Sequence, residues 1–255
     1  METKLNLQRV TNLFKYELTL LKHPIILAAI GFALFITAIC AMASLSDPTG
    51  IVSEKTLAGL YGVAFTLGFP IITSFSFHRV STKGGAINYL SLPASREEKF
   101  LVTFLNTAVL FPLGLTLLFV IVEYTLMLVW SLFGGEIGVF MPIQLELGLD
   151  GIIPVFLSFV GVHSFFFFGS AIFRKYAFLK TCILGFTVIV VLSITGVLIA
   201  MAVGATLAGE GMSHSFHWDG SQINGVWQYI SNGISLFIVL VLWIVSYLKF
   251  KRAEV

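Results

Sequence analysis

Residues able to do chemistry are scarce in this sequence, and most of them stand alone. Glu123 sits inside a long apolar run, where an isolated carboxylate is costly and tends to face a cavity or a partner. Counting 1.5 Å per helical residue from Leu101 puts it roughly 33 Å along, near the far edge of a hydrocarbon layer about 30 Å thick. It could therefore reach headgroup water, or serve proton coupling or substrate contact. His163 stands beside Phe165-Phe166-Phe167-Phe168 in another apolar run. Its alternatives are a packed, hydrogen-bonded histidine and a proton relay. The four Phe circle a helix completely, so part of the run must face lipid and any remainder could line an apolar substrate path. His214-Ser215-Phe216-His217-Trp218-Asp219 offers two imidazoles and a carboxylate, a weak metal-ligand pattern that a surface loop explains as well.

Several catalytic arrangements are missing. No Gly-x-x-x-x-Gly-Lys-Ser/Thr loop occurs, so the chain cannot cradle ATP phosphates in the usual P-loop manner. No His-Glu-x-x-His pair, Gly-x-Ser-x-Gly elbow or metal-spaced cysteine pair occurs either. The expectation is a chain with no catalytic residues, no metal and no cofactor of its own. Cys40 and Cys182 lie in apolar runs, which argues against a disulfide scaffold.

The elements around these residues follow from composition. Of 255 residues, 57% are hydrophobic and 11% charged, with a mean hydropathy of +0.96. A soluble domain carries about 25% charged residues and could not hide this much apolar surface. Twenty-five Phe residues likewise exclude disorder. The pattern predicts an all-α polytopic membrane protein with spans at 24–45, 57–77, 101–131, 152–173, 179–208 and 229–248. Each run meets the roughly 20 apolar residues a crossing helix needs. The runs are solid rather than alternating, which rejects a β-barrel. The first run follows some 23 mostly amphipathic residues and is too long for a signal-peptide core, so it reads as a retained span.

With six spans both termini share a side, and 14 of the 15 Lys and Arg residues fall there, leaving only Lys55 opposite. By the positive-inside bias that side is cytoplasmic. Asp47, Glu54, Glu136, Glu146, Asp150, Glu210 and Asp219 gather on the other side. The net charge of +2 therefore reflects topology and contact with anionic lipid headgroups rather than nucleic acid.

Three pieces lie outside the spans. Residues 1–23 place Val10, Leu13, Phe14, Leu18 and Leu21 at helical spacing, with Arg9, Lys15 and Lys22 at the edges. This suits an amphipathic interfacial helix, the alternative being a polar lead-in to the first span. His23-Pro24 is the expected break between the two. Residues 249–255 form a basic tail. The 78–100 loop carries the most information. Gly84-Gly85 is expected to end the preceding helix, Ala86 to Leu92 to form a short helix outside the bilayer, and Pro93 to end it. Ser95 and Glu98 have capping-box spacing, and the third span starts from that cap. Tyr89, Leu90 and Leu92 are expected to form an exposed apolar knob for a partner, unless they lie on the N-terminal helix. The third span is long, so either it begins in the cytoplasm or it tilts and kinks at Pro112. No internal repeat is visible, which counts against an inverted-repeat carrier.

An interfacial N-terminal helix, six spans and a Leu90-Ser91-Leu92-Pro93-Ala94-Ser95…Glu98-Lys99 loop after span two together resemble the permease subunits of bacterial type-2 ATP-binding-cassette exporters. The topological likeness covers the whole chain, and the motif covers Leu90 to Lys99. The resemblance implies that the loop residues Asn88, Tyr89, Leu90, Leu92 and Pro93 couple to a separate ATPase subunit. ATP and Mg²⁺ would be held there, and a second permease copy or a related permease would complete a substrate path in the inner membrane. A non-transporting membrane scaffold would use the same loop without needing nucleotide. An ion-coupled carrier would need ionisable groups at mid-membrane depth, which these spans hardly supply.

Overall fold

The computed structural model describes residues 6–46, 51–78, 83–134, 136–141, 149–173, 175–209 and 223–253. Among them every regular element is helical: α1 (Leu7–Ser46), α2 (Glu54–Ser74), α3 (Lys83–Leu90), α4 (Arg96–Leu105), α5 (Phe111–Leu132), α6 (Leu149–Ile172), α7 (Ala177–Gly209) and α8 (Ile223–Ala253). A π-helical turn, Asn106–Leu110, joins α4 to α5. Six of the described helical stretches are long and apolar enough to cross a membrane, α4 through α5 counting as one. They coincide with the six runs read from the sequence, so the described residues form an all-helical protein of membrane type.

Two expected breaks are absent. α1 runs through His23 and Pro24 as one helix of 40 residues, about 60 Å at 1.5 Å per residue. Proline fixes φ near the helical value and removes one N–H, a loss that long flanking helix on both sides can carry. The second concerns Gly84-Gly85, which do not end α2 but lie in the first turn of α3. That position costs glycine least, because first-turn N–H groups have no intrahelical partner. α2 instead ends at Ser74 by tightening: Phe75 N–H bonds to Ile72 O, Ser76 N–H to Thr73 O and His78 N–H to Phe75 O.

Two cores organise the bundle. At the end where α2 finishes and α4 begins, the basic end, Phe77, Tyr89, Phe167 and Phe250 are buried together, flanked by Leu92, Phe100, Phe104 and Trp243. At the opposite end Ile36, Cys40, Leu57, Phe119, Val122 and Leu126 pack with Val52 and Ile137. Between them Phe65, Phe69 and Phe159 stack at 4.5–5.8 Å. Of the four-Phe run, Phe167 is fully buried and the other three are half-buried.

The helix α6 packs against α2, α7 and α8, while α7 lies at the periphery with none of its apolar stretch buried. Close approach of α6 to α7 requires Gly169, where a Cβ would fall 1.9 Å from Thr181 Oγ1. At the end opposite the basic one, Val52 and Ile137 form a parallel bridge: Val52 N–H bonds to Glu136 O at 3.1 Å and Gly138 N–H to Val52 O at 2.8 Å.

Candidate functional site

The basic end gathers the loop residues singled out in the sequence, but not in the expected orientation. Tyr89 is buried, not part of an exposed knob. Its hydroxyl lies 3.4 Å from Lys99 O and 3.3 Å from Thr103 Oγ1, and Lys99 Nζ sits 5.5 Å from its ring centroid. Leu92 is half-buried against the same aromatic core. A Tyr in a short helix next to Phe77 and Phe167 removes more apolar area from water by turning inward. Through Tyr89, α3 therefore lies against α4, α6 and α8. The side chain of Leu90 lies outside the described residues. Asn88 and Pro93 are exposed.

The exposed stripe of α3 is Gly84, Ile87 and Asn88, continued by Ser91 just past its end, spaced three, four and seven from Gly84. Ile87, 68% exposed, is the apolar residue the sequence reading missed. With Tyr89 turned inward, Ile87, two residues earlier, falls on the opposite helical face.

The capping box is present as expected. Ser95 Oγ accepts from Glu98 N–H, and Glu98 Oε2 accepts from Ser95 N–H at 2.7 Å. Glu98 does more than cap. It is fully buried, its Oε1 accepts the Asn6 backbone N–H at 2.9 Å, and Arg9 Nε lies 3.6 Å away. Asn6 Oδ1 in turn accepts from Gln8 N–H at 2.9 Å, starting α1. One carboxylate thus joins the starts of two parallel helices.

A second carboxylate repeats the device in the other direction. Glu17 of α1 is buried and accepts a hydrogen bond from Asn106 Nδ2 in the π-turn. Glu17 was missed, although it stands in the middle of the 10, 13, 14, 18, 21 apolar face. A carboxylate at that register announces a polar partner on the neighbouring element.

Glu123 and His163 belong to different ends. Glu123 is 2% exposed and accepts the Phe140 backbone N–H, so it does not reach headgroup water. Segment 136–141 folds back over it, and its second oxygen has no hydrogen-bond partner among the described residues. His163 is buried beside the π-turn, with Nε2 3.1 Å from Thr107 Oγ1. Phe104, Phe167, Phe69 and Trp243 surround its ring at 5.2–6.1 Å. The two residues share no site. Among the described residues no three His, Cys, Asp or Glu side chains gather as metal ligands, and His214, His217 and Asp219 lie outside those residues. A comparison with family models, with curated proteins and with solved structures finds no match.

Proposed function

We propose that this chain is the membrane subunit of an ATP-driven exporter of the type-2 ATP-binding-cassette class, paired with a second copy or a related permease. The observation that carries the reading is α3. This eight-residue helix between the second and third spans is fastened on one side and bare on the other. Tyr89 and Leu92 anchor it, while Ile87 and Asn88 face outward with Ser91. A small fastened helix presenting an exposed apolar residue suits a groove on a partner.

In this reading the partner is a separate ATPase that holds ATP and Mg²⁺ on the cytoplasmic side of the inner membrane. Force on α3 passes through Tyr89 to Lys99 and Thr103 of α4, and through the Ser95–Glu98 cap into the start of span three. The chain itself carries out no hydrolysis; its work is to change shape.

Reconstitution tests the reading. The chain is purified with the proteins encoded beside it, and ATP hydrolysis is measured in lipid nanodiscs with and without it. A nucleotide-hydrolysing subunit whose rate rises several-fold with this chain, and falls back with Ile87→Asp, supports the proposal. The absence of such a subunit, or indifference to Ile87→Asp, overturns it. Stable assembly without any nucleotide dependence favours the scaffold instead.

A further inference from the structure

Within the described spans the regular α-helical pattern is interrupted at one place, Asn106–Leu110. There Phe111 N–H bonds back to Asn106 O, five residues earlier. Pro112, the second residue of α5, explains the interruption. It lacks an N–H, and its ring crowds the carbonyl four residues before it, which a wider turn relieves. A π-turn is a soft point, because one extra residue is held in a register that the flanking helix does not share.

A second proline, Pro24, lies inside α1, where it removes one N–H from a helix that continues through it. α1 and α4 both run away from the basic end, joined at Asn6–Glu98 and again at Glu17–Asn106. Counting onward from the second contact, Pro24 lies seven residues along α1 and Pro112 six residues along span three. At 1.5 Å per residue both prolines stand about 10 Å beyond it, at one level of the bundle. Below that level, residues 7–23 of α1 and all of α4 are linked by two carboxylates, and α3 is linked to α4 through Tyr89. Above it, α5 belongs to the other core, where Tyr61 and Thr116 hydroxyls meet at 2.9 Å and Phe119 is fully buried.

At the turn itself Thr107 bonds to His163 of α6 at 3.1 Å; nearer the basic end Tyr247 of α8 bonds to Glu97 at 3.3 Å, and Phe100 and Phe104 pack on Phe167 and Trp243. His163 Nδ1 on α6 and Asn106 Oδ1 in the turn are buried with no hydrogen-bond partner among the described residues. Each retains capacity for a different partner, whereas a permanently locked joint would have used it.

We infer that residues 7–23 of α1, together with α3 and α4, form one rigid body that pivots about a hinge level set by Pro24 and the Asn106–Leu110 turn, with the Thr107–His163 bond as its catch. The inference rests on the fold alone and goes beyond the exporter reading, for which the hinge supplies the moving part.

The test uses the full chain in lipid nanodiscs with no partner or nucleotide, so its outcome is separable from that of the reconstitution. Spin labels are attached in a Cys182→Ser background, since Cys40 is fully buried. One pair, Gln8→Cys with Ser91→Cys, lies within the body; the other, Ser91→Cys with Leu132→Cys, crosses the hinge. All three positions are exposed. Thr107→Val removes the catch at nearly constant shape, and His163→Phe does so from the other side. α5 is 22 residues long, about 33 Å, so a pivot of about 10° at its base moves its far end by roughly 6 Å. The expected result is a shifted or second distance of this size across the hinge in both variants, with the internal pair unchanged and Thr107→Ser resembling the parent. Identical cross-hinge distances in parent, Thr107→Val and His163→Phe overturn the hinge. Movement of the internal pair overturns the rigid body.

Discussion

The backbone N–H of Asn6 and the carboxylate of Glu98 meet at 2.9 Å across 92 residues of chain. The same carboxylate closes the capping box of α4 with its other oxygen, so one side chain starts one helix and secures the start of another. Charge-assisted bonds of this kind are worth about 1.5–3 kcal/mol each.

Glu98→Ala should therefore lower stability by roughly 3 kcal/mol, combining the lost cap with the lost tie to Asn6. Glu98→Gln retains an oxygen acceptor and should lose less than half as much. Equilibrium unfolding in lipid bicelles measures both, and amide exchange should quicken over residues 6–10 in Glu98→Ala first. Equal losses in the two variants would contradict the two-way role.

Tyr89 gives a graded pair. Tyr89→Phe removes only the hydroxyl shared with Lys99 O and Thr103 Oγ1, at a cost of about 1 kcal/mol. Tyr89→Ala removes the ring from the basic-end core and should cost about 3 kcal/mol. Hydrogen exchange over α3 should rise slightly in the first and approach that of an unstructured segment in the second. Protection of α3 in Tyr89→Ala would mean that something else holds it.

The role of Glu123 is separable by charge. Glu123→Gln keeps an oxygen for the Phe140 N–H and should leave segment 136–141 protected from exchange. Glu123→Leu leaves that N–H without its acceptor and should cost about 1–3 kcal/mol, with exchange rising at Phe140. If Glu123→Gln behaves like Glu123→Leu, the ionised form is what the segment needs.

Close packing of α6 on α7 predicts a suppressor. Gly169→Ala introduces a methyl 1.9 Å from Thr181 Oγ1 and 2.7 Å from its Cγ2, and should destabilise by about 1–3 kcal/mol through overpacking. Thr181→Ala removes those two atoms, so the double variant should regain part of the loss. Thermal unfolding of the four-member cycle measures the coupling; strictly additive effects would count against the contact.

How much of this was legible in the sequence depended on distance along the chain. The six spans follow from runs of apolar residues longer than any soluble core needs. Ser95 and Glu98 were legible because a capping box is complete within four residues. Tyr89 was not, because its inward turn depends on Phe77, Phe167 and Phe250, which arrive from the turn after α2 and from α6 and α8. Pro24 misled for a related reason: local preference favours a break there, and long flanking helices outweigh it. Pro112 did signal an irregularity in span three, yet nothing local distinguished a π-turn from a kink. Glu17 was half legible, since its place on an apolar face required a partner but could not name Asn106.

The tie between Asn6 and Glu98 also constrains how the protein is made. Its acceptor is synthesised 92 residues after its donor, and two complete spans must be threaded into the bilayer in between. At about 5–20 residues per second that interval is roughly 5–18 s. The Asn106 amide that donates to Glu17 is likewise made after it, 89 residues further along the chain. The start of α1 therefore meets Glu98 only after the third span has begun to be made.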